Sequence, residues 1–200
     1  MDANVIDASV IATIFVGTIS TVAVLVSAKY SYNLLKKQFD SNEKQYREQL
    51  ELDKKQHQVQ GLLEAFRILD TRQHRNSRKT VYQLYHAYLS TKDVTSFRGV
   101  PDVEDVRGDF DVLGELVRTE NISEEEFMYE YGPLAYRCWQ CLKDHIEDER
   151  ISRNFKPFMD NFEWLAKKAD DYWKHKGYDL AKTILSNPSN RNMRVDFQQK

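Results

Sequence analysis

The sequence predicts an all-α fold: an N-terminal transmembrane helix that continues into a helical stalk, then an irregular cytoplasmic helical bundle. Three observations support this prediction. Seven glycines and four prolines in 200 residues are too few for the turns of a many-stranded protein. No segment alternates convincingly between apolar and polar residues, whereas apolar residues recur at helical spacing. Residues 8–28 carry no charge, unlike the rest of the chain.

The uncharged segment 8–28 has the length of a membrane span. At about 1.5 Å of rise per residue, a helix of this length covers roughly 30 Å, the thickness of the hydrocarbon core. A cleaved signal peptide is disfavoured, because residues 1–7 are acidic and the apolar run is too long. We therefore predict that residues 8–28 anchor the chain in a lipid bilayer. A buried helix inside a soluble domain is the alternative.

Flanking charge predicts the orientation of this anchor. Lys29, Lys36 and Lys37 follow the segment, and no Lys or Arg precedes it. The more basic flank of a span usually stays in the cytoplasm. Residues 1–7 are thus expected to be a short extracytoplasmic N-terminus, and the chain a single-pass protein of the inner (plasma) membrane with its C-terminal part in the cytoplasm.

Residues 29–61 are predicted to form the stalk. No Gly or Pro occurs in this segment before Gly61, and it is rich in strong helix formers. Glu43 precedes Arg47 by four residues, an order that stabilises a helix. Gly61 is expected to end or kink the stalk helix.

The stalk also shows a partial coiled-coil pattern. A heptad frame through Leu35, Phe39 and Tyr46 then meets Asp53 and Gln56, so the apolar seam is not sustained. We expect weak self-association of the stalk and no strong coiled coil.

The cytoplasmic helical domain is predicted over residues 62–185, and the polar segment 186–200 is expected to be a flexible tail. Within the domain, apolar residues at helical spacing mark the faces that are expected to form the core. They are Leu62, Leu63, Phe66 and Leu69; Val81, Leu84, Tyr85, Tyr88 and Leu89; Val106, Phe110, Leu113 and Val117; and Phe158, Phe162, Leu165 and Tyr172.

Capping patterns predict where several of these helices begin and end. Ser123-Glu124-Glu125-Glu126 forms a capping box that opens a short helix. Gly132-Pro133 ends that helix and opens the next one. Pro157 is expected to open a further helix, and Gly177 to end it.

The order of elements and a set of spaced residues carry a family resemblance. After the anchor and the polar stem come Arg75…Arg78…Val81-Tyr82, then Ile122…Phe127, then Trp139…Leu142…Ile146…Arg150…Phe155…Phe162-Glu163…Leu165. With these features, residues 5–175 resemble the prokaryotic domain-of-unknown-function family 4760, small membrane-anchored helical proteins. The resemblance implies a helical fold and a single-pass anchor. That family has no settled activity, so the resemblance implies no catalytic residue.

Charge and motif content favour a non-catalytic protein. Asp2 and Asp7 are the only charged residues before Lys29, so residues 29–200 carry 29 basic and 29 acidic groups. This balance makes a general nucleic-acid binder unlikely. No phosphate-binding glycine loop, nucleophile elbow or kinase motif is present, and no cofactor is predicted.

The main candidate for a redox or metal site is Cys138-Trp139-Gln140-Cys141, with His145 four residues after Cys141. In the cytoplasm a structural disulfide is disfavoured, and a thioredoxin-like site requires a strand before the helix. A zinc site would place Cys138, Cys141 and His145 on one helix face, but the local sequence offers no fourth ligand. The favoured interpretation is a helix packed on two neighbours, with the cysteines as small buried apolar residues.

The densest basic cluster is Arg72, Arg75, Arg78 and Lys79, a candidate site for an anion or a partner. Arg75 and Arg78, three residues apart, are able to fork around a phosphate or a carboxylate. The simpler hypothesis is attraction within the domain, because residues 80–130 hold twelve acidic and four basic groups.

The sequence therefore favours a membrane-anchored interaction domain that binds a protein partner or itself. Two alternatives remain open at this stage. One is a membrane-tethered enzyme or effector with an unrecognised site. The other is binding of nucleic acid or anionic lipid by the basic cluster.

Overall fold

The all-α prediction is confirmed in the computed structural model, which describes the backbone of residues 8–185 and the side chains of residues 24–183. Seven α-helices and one 3₁₀ helix account for nearly all of the described residues, and none of these residues lies in a strand. The α-helices are α1 (Ala8–Leu69), α2 (Arg72–Thr91), α3 (Pro101–Arg118), α4 (Glu124–Glu130), α5 (Gly132–Ser152), α6 (Asp160–His175) and α7 (Leu180–Leu185), and the 3₁₀ helix is Val94–Phe97.

Most of the predicted membrane span lies outside the described side chains, which begin at residue 24. Residues 1–7 and the predicted tail 186–200 lie outside the described residues altogether. Within the part of the chain that is described, no helix has an apolar stretch of the length that a membrane crossing requires.

The chain divides into two compact units, Met1–Lys54 and Lys55–Lys200. In the first unit, the residues from 24 onward are helical and their side chains are exposed; the stalk stays a prediction. The predicted pair Arg47–Glu43 forms at 2.6 Å between Nη2 and Oε1, although such exposed pairs contribute only about 0.3–0.5 kcal/mol.

The helix end predicted at Gly61 is wrong, while the alternative of a kink there stays a prediction. Helix α1 continues to Leu69, and Gly61 lies within it against the backbone of the loop between α3 and α4. A Cβ atom at Gly61 would lie 2.8 Å from Cγ1 of Ile122 and closer still to the carbonyl oxygen of Asn121. The glycine thus permits close packing inside the second unit.

The core of the second unit lies between α2, α3, α5 and α6. The predicted core face of α3 is confirmed, since Val106, Phe110, Leu113 and Val117 are all buried. The rings of Phe110 and Phe162 stack with their centroids 5.1 Å apart, which joins α3 to α6.

Most predicted helix ends are confirmed, including the start of α5 at Gly132-Pro133. Ser123 accepts a hydrogen bond from the backbone N–H of Glu126, which caps α4. Gly177, with φ of +85°, follows α6 in the left-handed conformation that favours glycine. The start predicted at Pro157 is wrong, because a turn precedes α6 and the helix begins at Asp160.

Candidate functional site

The predicted basic cluster does not converge on one site. Arg72, Arg75 and Lys79 are exposed on α2, whereas Arg78 is buried and donates from Nη1 to the carbonyl oxygen of Leu69 at 2.7 Å. Arg78 therefore satisfies a carbonyl at the C-terminus of α1, where the helix itself offers no donor. The fork of Arg75 and Arg78 around an anion is not formed.

The inner face of α2 meets the acidic segment through uncharged side chains. Nδ1 of His74 lies 2.9 Å from Oδ2 of Asp109, and Ser77 donates to Asp102 at 2.8 Å. Among the described side chains, no ion pair joins Arg72, Arg75 or Lys79 to an acidic residue. In the described part of α2, the contacts to the acidic segment are thus these hydrogen bonds, and Arg72, Arg75 and Lys79 form no ion pair with it.

Burial of His74 makes the stability of the second unit depend on pH. Burial, aided by the charge of Arg78, lowers the pKa of His74 from 6.5 to about 4. The unfolded chain then binds more protons between these values, so stability is complete above the ordinary pKa and falls as pH drops towards the folded pKa. The charges of Asp105 and Asp70 oppose this shift only in part, and a fall of the pKa from 6.5 to about 4 corresponds to a loss of at most about 3 kcal/mol.

Urea unfolding as a function of pH tests this expectation. His74→Gln should flatten the pH dependence in this window, while His86→Gln, at an exposed position of the same helix, should leave the wild-type profile. Equal profiles for both variants would show that His74 does not carry the effect.

Cys138, Cys141 and His145 are all buried on α5 and contact different neighbours. Sγ of Cys138 lies 3.4 Å from the hydroxyl of Tyr82, and the ring of His145 stacks on Phe97 with centroids 5.5 Å apart. In the part of the chain whose side chains are described, no group of three His, Cys, Asp or Glu residues is placed to hold a metal ion.

The two thiols lie in surroundings that keep them unreactive. Both cysteines are free, and burial raises the pKa of the Cys138 and Cys141 thiols. The thiolate is the reactive form, so native protein at neutral pH should react with a disulfide reagent at least roughly a hundredfold more slowly than protein unfolded in urea. The chain has two cysteines, so full reaction releases two equivalents of the absorbing thiol product of the reagent for each chain. Rapid native labelling of either thiol would contradict the packing interpretation.

The outward face of α1 in the second unit presents three large apolar side chains. Val59, Leu63 and Phe66 are 52 %, 56 % and 54 % exposed, respectively. Their spacings of four and three residues place them along one face of the helix, at the spacing of a coiled-coil seam. We call these three residues the α1 apolar stripe.

The other face of α1 is already packed within the unit. Ala65 and Leu69 are fully buried, and Leu62 is partly buried against the core. The prediction that Leu63 and Phe66 belong to the core is therefore wrong, and it is also wrong for Leu89 of α2, which is 45 % exposed. The apolar residues of α1 cover more of the helix surface than its packed face, which is the signal in the sequence for a second contact.

Comparisons of the chain with protein-family models, curated proteins and solved structures found no match. The resemblance to family 4760 stays a prediction.

Proposed function

We propose that this chain is a single-pass membrane-anchored protein whose helical unit binds another protein chain through the α1 apolar stripe. The observation that carries the proposal is the exposure of Val59, Leu63 and Phe66 at seam spacing, on a helix whose adjacent face is packed. The occupant proposed first is the same stripe of a second copy, and a different helical protein is the alternative.

The α1 apolar stripe is expected to give a weak contact, of a strength that suffices only when the two chains are held close together, as on a membrane. Burying the exposed halves of three such side chains gains about 1 kcal/mol each, or about 3 kcal/mol for each copy. Association from free solution costs on the order of 4–15 kcal/mol, so the stripe alone gives a weak interface. Two copies tethered to one membrane begin parallel and at high effective concentration, which lowers that cost.

The anchor in this proposal rests on the sequence of residues 8–28. Their lack of charge supports a span of the inner (plasma) membrane. The lysines that follow support an orientation with the N-terminus outside and the helical unit in the cytoplasm. Extraction at alkaline pH tests the anchor directly: the chain should stay with the membrane pellet and be released only by detergent. Release by alkali without detergent would contradict it.

Charge on the stripe should abolish association without unfolding the unit. We expect Leu63→Glu combined with Phe66→Glu to remove the cross-linked dimer of the full chain in membranes, because two carboxylates would have to be buried in the contact. The matched control is Val112→Glu, at a 52 % exposed position of α3. A dimer that persists in the double variant, with unchanged helical content, would exclude the stripe as the contact.

A basic surface is the second candidate function, for binding of anionic lipid or nucleic acid. It is supported by the exposure of Arg72, Arg75 and Lys79 and by the absence of ion pairs to them among the described side chains. Binding to anionic vesicles or to DNA should weaken steeply with salt and with Arg72→Glu plus Arg75→Glu. The alternative of an enzyme that uses Arg75 and Arg78 together has no support here, since Arg78 is buried and donates its hydrogen bond to the carbonyl oxygen of Leu69.

A further inference from the structure

Two buried, nitrogen-bearing side chains lie in the same region of the second unit, one on α3 and one on α5. Arg107 and His145 are only 4 % and 1 % exposed. The ring of Phe97 stacks on His145, and the guanidinium of Arg107 lies 5.0 Å from the ring centroid of Phe158. Aromatic rings thus cover both groups and shield them from water.

Three nitrogens of this pair lack a protein partner. Within the described side chains and backbone, no acceptor or donor reaches Nδ1 or Nε2 of His145, or Nη1 of Arg107. A buried polar group without a hydrogen bond costs about 1–3 kcal/mol, and more when it is charged. Such groups are rare in native proteins, and a bound water or ion is one recognised explanation for them. The charge of Arg107 acts on His145, which places the two groups near each other.

The charges nearby show which kind of molecule fits. Burial and the positive charge of Arg107 lower the pKa of His145, which therefore offers one N–H donor as a neutral ring. The acidic groups around the pair are already engaged: Glu104 by Arg107, Glu149 by Arg153 and Asp148 by Arg98. After pairing with Glu104, Arg107 keeps Nη1 as a donor without a partner among the described residues, and His145 offers one N–H; both donors are complementary to the oxygens of a small acceptor molecule.

We propose that Arg107 and His145 form a buried binding site for a small oxyanion, either a monocarboxylate or inorganic phosphate. One oxygen accepts from Nη1 of Arg107, and a second accepts from the N–H of His145. A cation is disfavoured because the guanidinium is permanently charged. Access requires Phe158, in the loop between α5 and α6, to move off Arg107.

Thermal unfolding of the full chain in detergent tests this site with formate, acetate and phosphate, each against chloride at equal ionic strength. At about ten times the dissociation constant, the bound anion should raise the midpoint by about 3 °C or more. The rise should vanish in His145→Phe, which keeps a ring against Phe97 but removes both nitrogens. It should also vanish in Arg107→Met, while Arg118→Met, at an exposed arginine of α3, should keep it.

The outcomes separate the possible ligands. A rise with formate or acetate alone assigns a carboxylate, and a rise with phosphate alone assigns phosphate. His145→Phe should be at least as stable as the wild type in chloride, because it removes the unpaired nitrogens. No rise in the wild type, or an equal rise in His145→Phe, overturns the proposal.

Discussion

Gly114→Ala is expected to destabilise the second unit by about 3 kcal/mol, although alanine ordinarily stabilises a helix by about 1 kcal/mol relative to glycine. Gly114 is buried in α3 where α6 crosses it. A Cβ atom there would lie 2.7 Å from the carbonyl carbon of Asn161, and closer still to its oxygen. Backbone cannot move aside as a flexible side chain can, so the two helices would have to separate.

The same helix provides the control for this prediction. Gly108 also lies within α3, but a Cβ atom there would meet nothing within 4 Å. Gly108→Ala should therefore raise the free energy of unfolding by about 0.5–1 kcal/mol. Urea unfolding followed by circular dichroism measures both variants. Effects of the same sign and size would show that the close approach of α3 and α6 does not constrain position 114.

Phe162→Ala should cost about 3–5 kcal/mol, because it removes a fully buried ring at the centre of the second unit. Phe162 stacks on Phe110 of α3 and meets the edge of Trp139 of α5, with centroids 5.3 Å apart in the second contact. The cavity would be bounded by side chains from three helices, which limits collapse around it. The free energy of unfolding in urea measures the loss.

Phe155→Ala is the matched control for the ring deletion. Phe155 is 53 % exposed in the turn that follows α5, so its removal should cost less than about 1 kcal/mol. Equal losses for Phe155→Ala and Phe162→Ala would mean that the stacked rings are not the centre of the core.

Much of this architecture follows from local patterns that the sequence displays directly. Spacings of four, three and four residues predict the buried face of α3 from Val106 to Val117, because only one face of an amphipathic helix is apolar. Ser123 predicts the start of α4, because an N-cap hydroxyl satisfies backbone donors within the same segment.

The remaining features depend on contacts between residues far apart in sequence. Glycine is a residue type that often ends a helix, but Gly61 lies inside α1 against the backbone of the loop at Asn121. The local sequence does not show this contact. Leu63 and Phe66 resemble core residues, because a helix with a broad apolar surface does not reveal which part of that surface is packed. The pairing of Arg107 with His145 requires the placement of α3 beside α5, which no local pattern specifies.

The central claim is that the α1 apolar stripe contacts another protein chain at the membrane. The most direct test places a photo-cross-linking phenylalanine analogue at position 63 or, as a control, at position 112, in full-length protein in intact membranes. Both native side chains are more than half exposed, so the analogue is tolerated at either position. We predict one discrete cross-linked product from position 63, identified by mass spectrometry as a second copy or a single partner, and none from position 112. No product from position 63, or the same products from both positions, would contradict the claim.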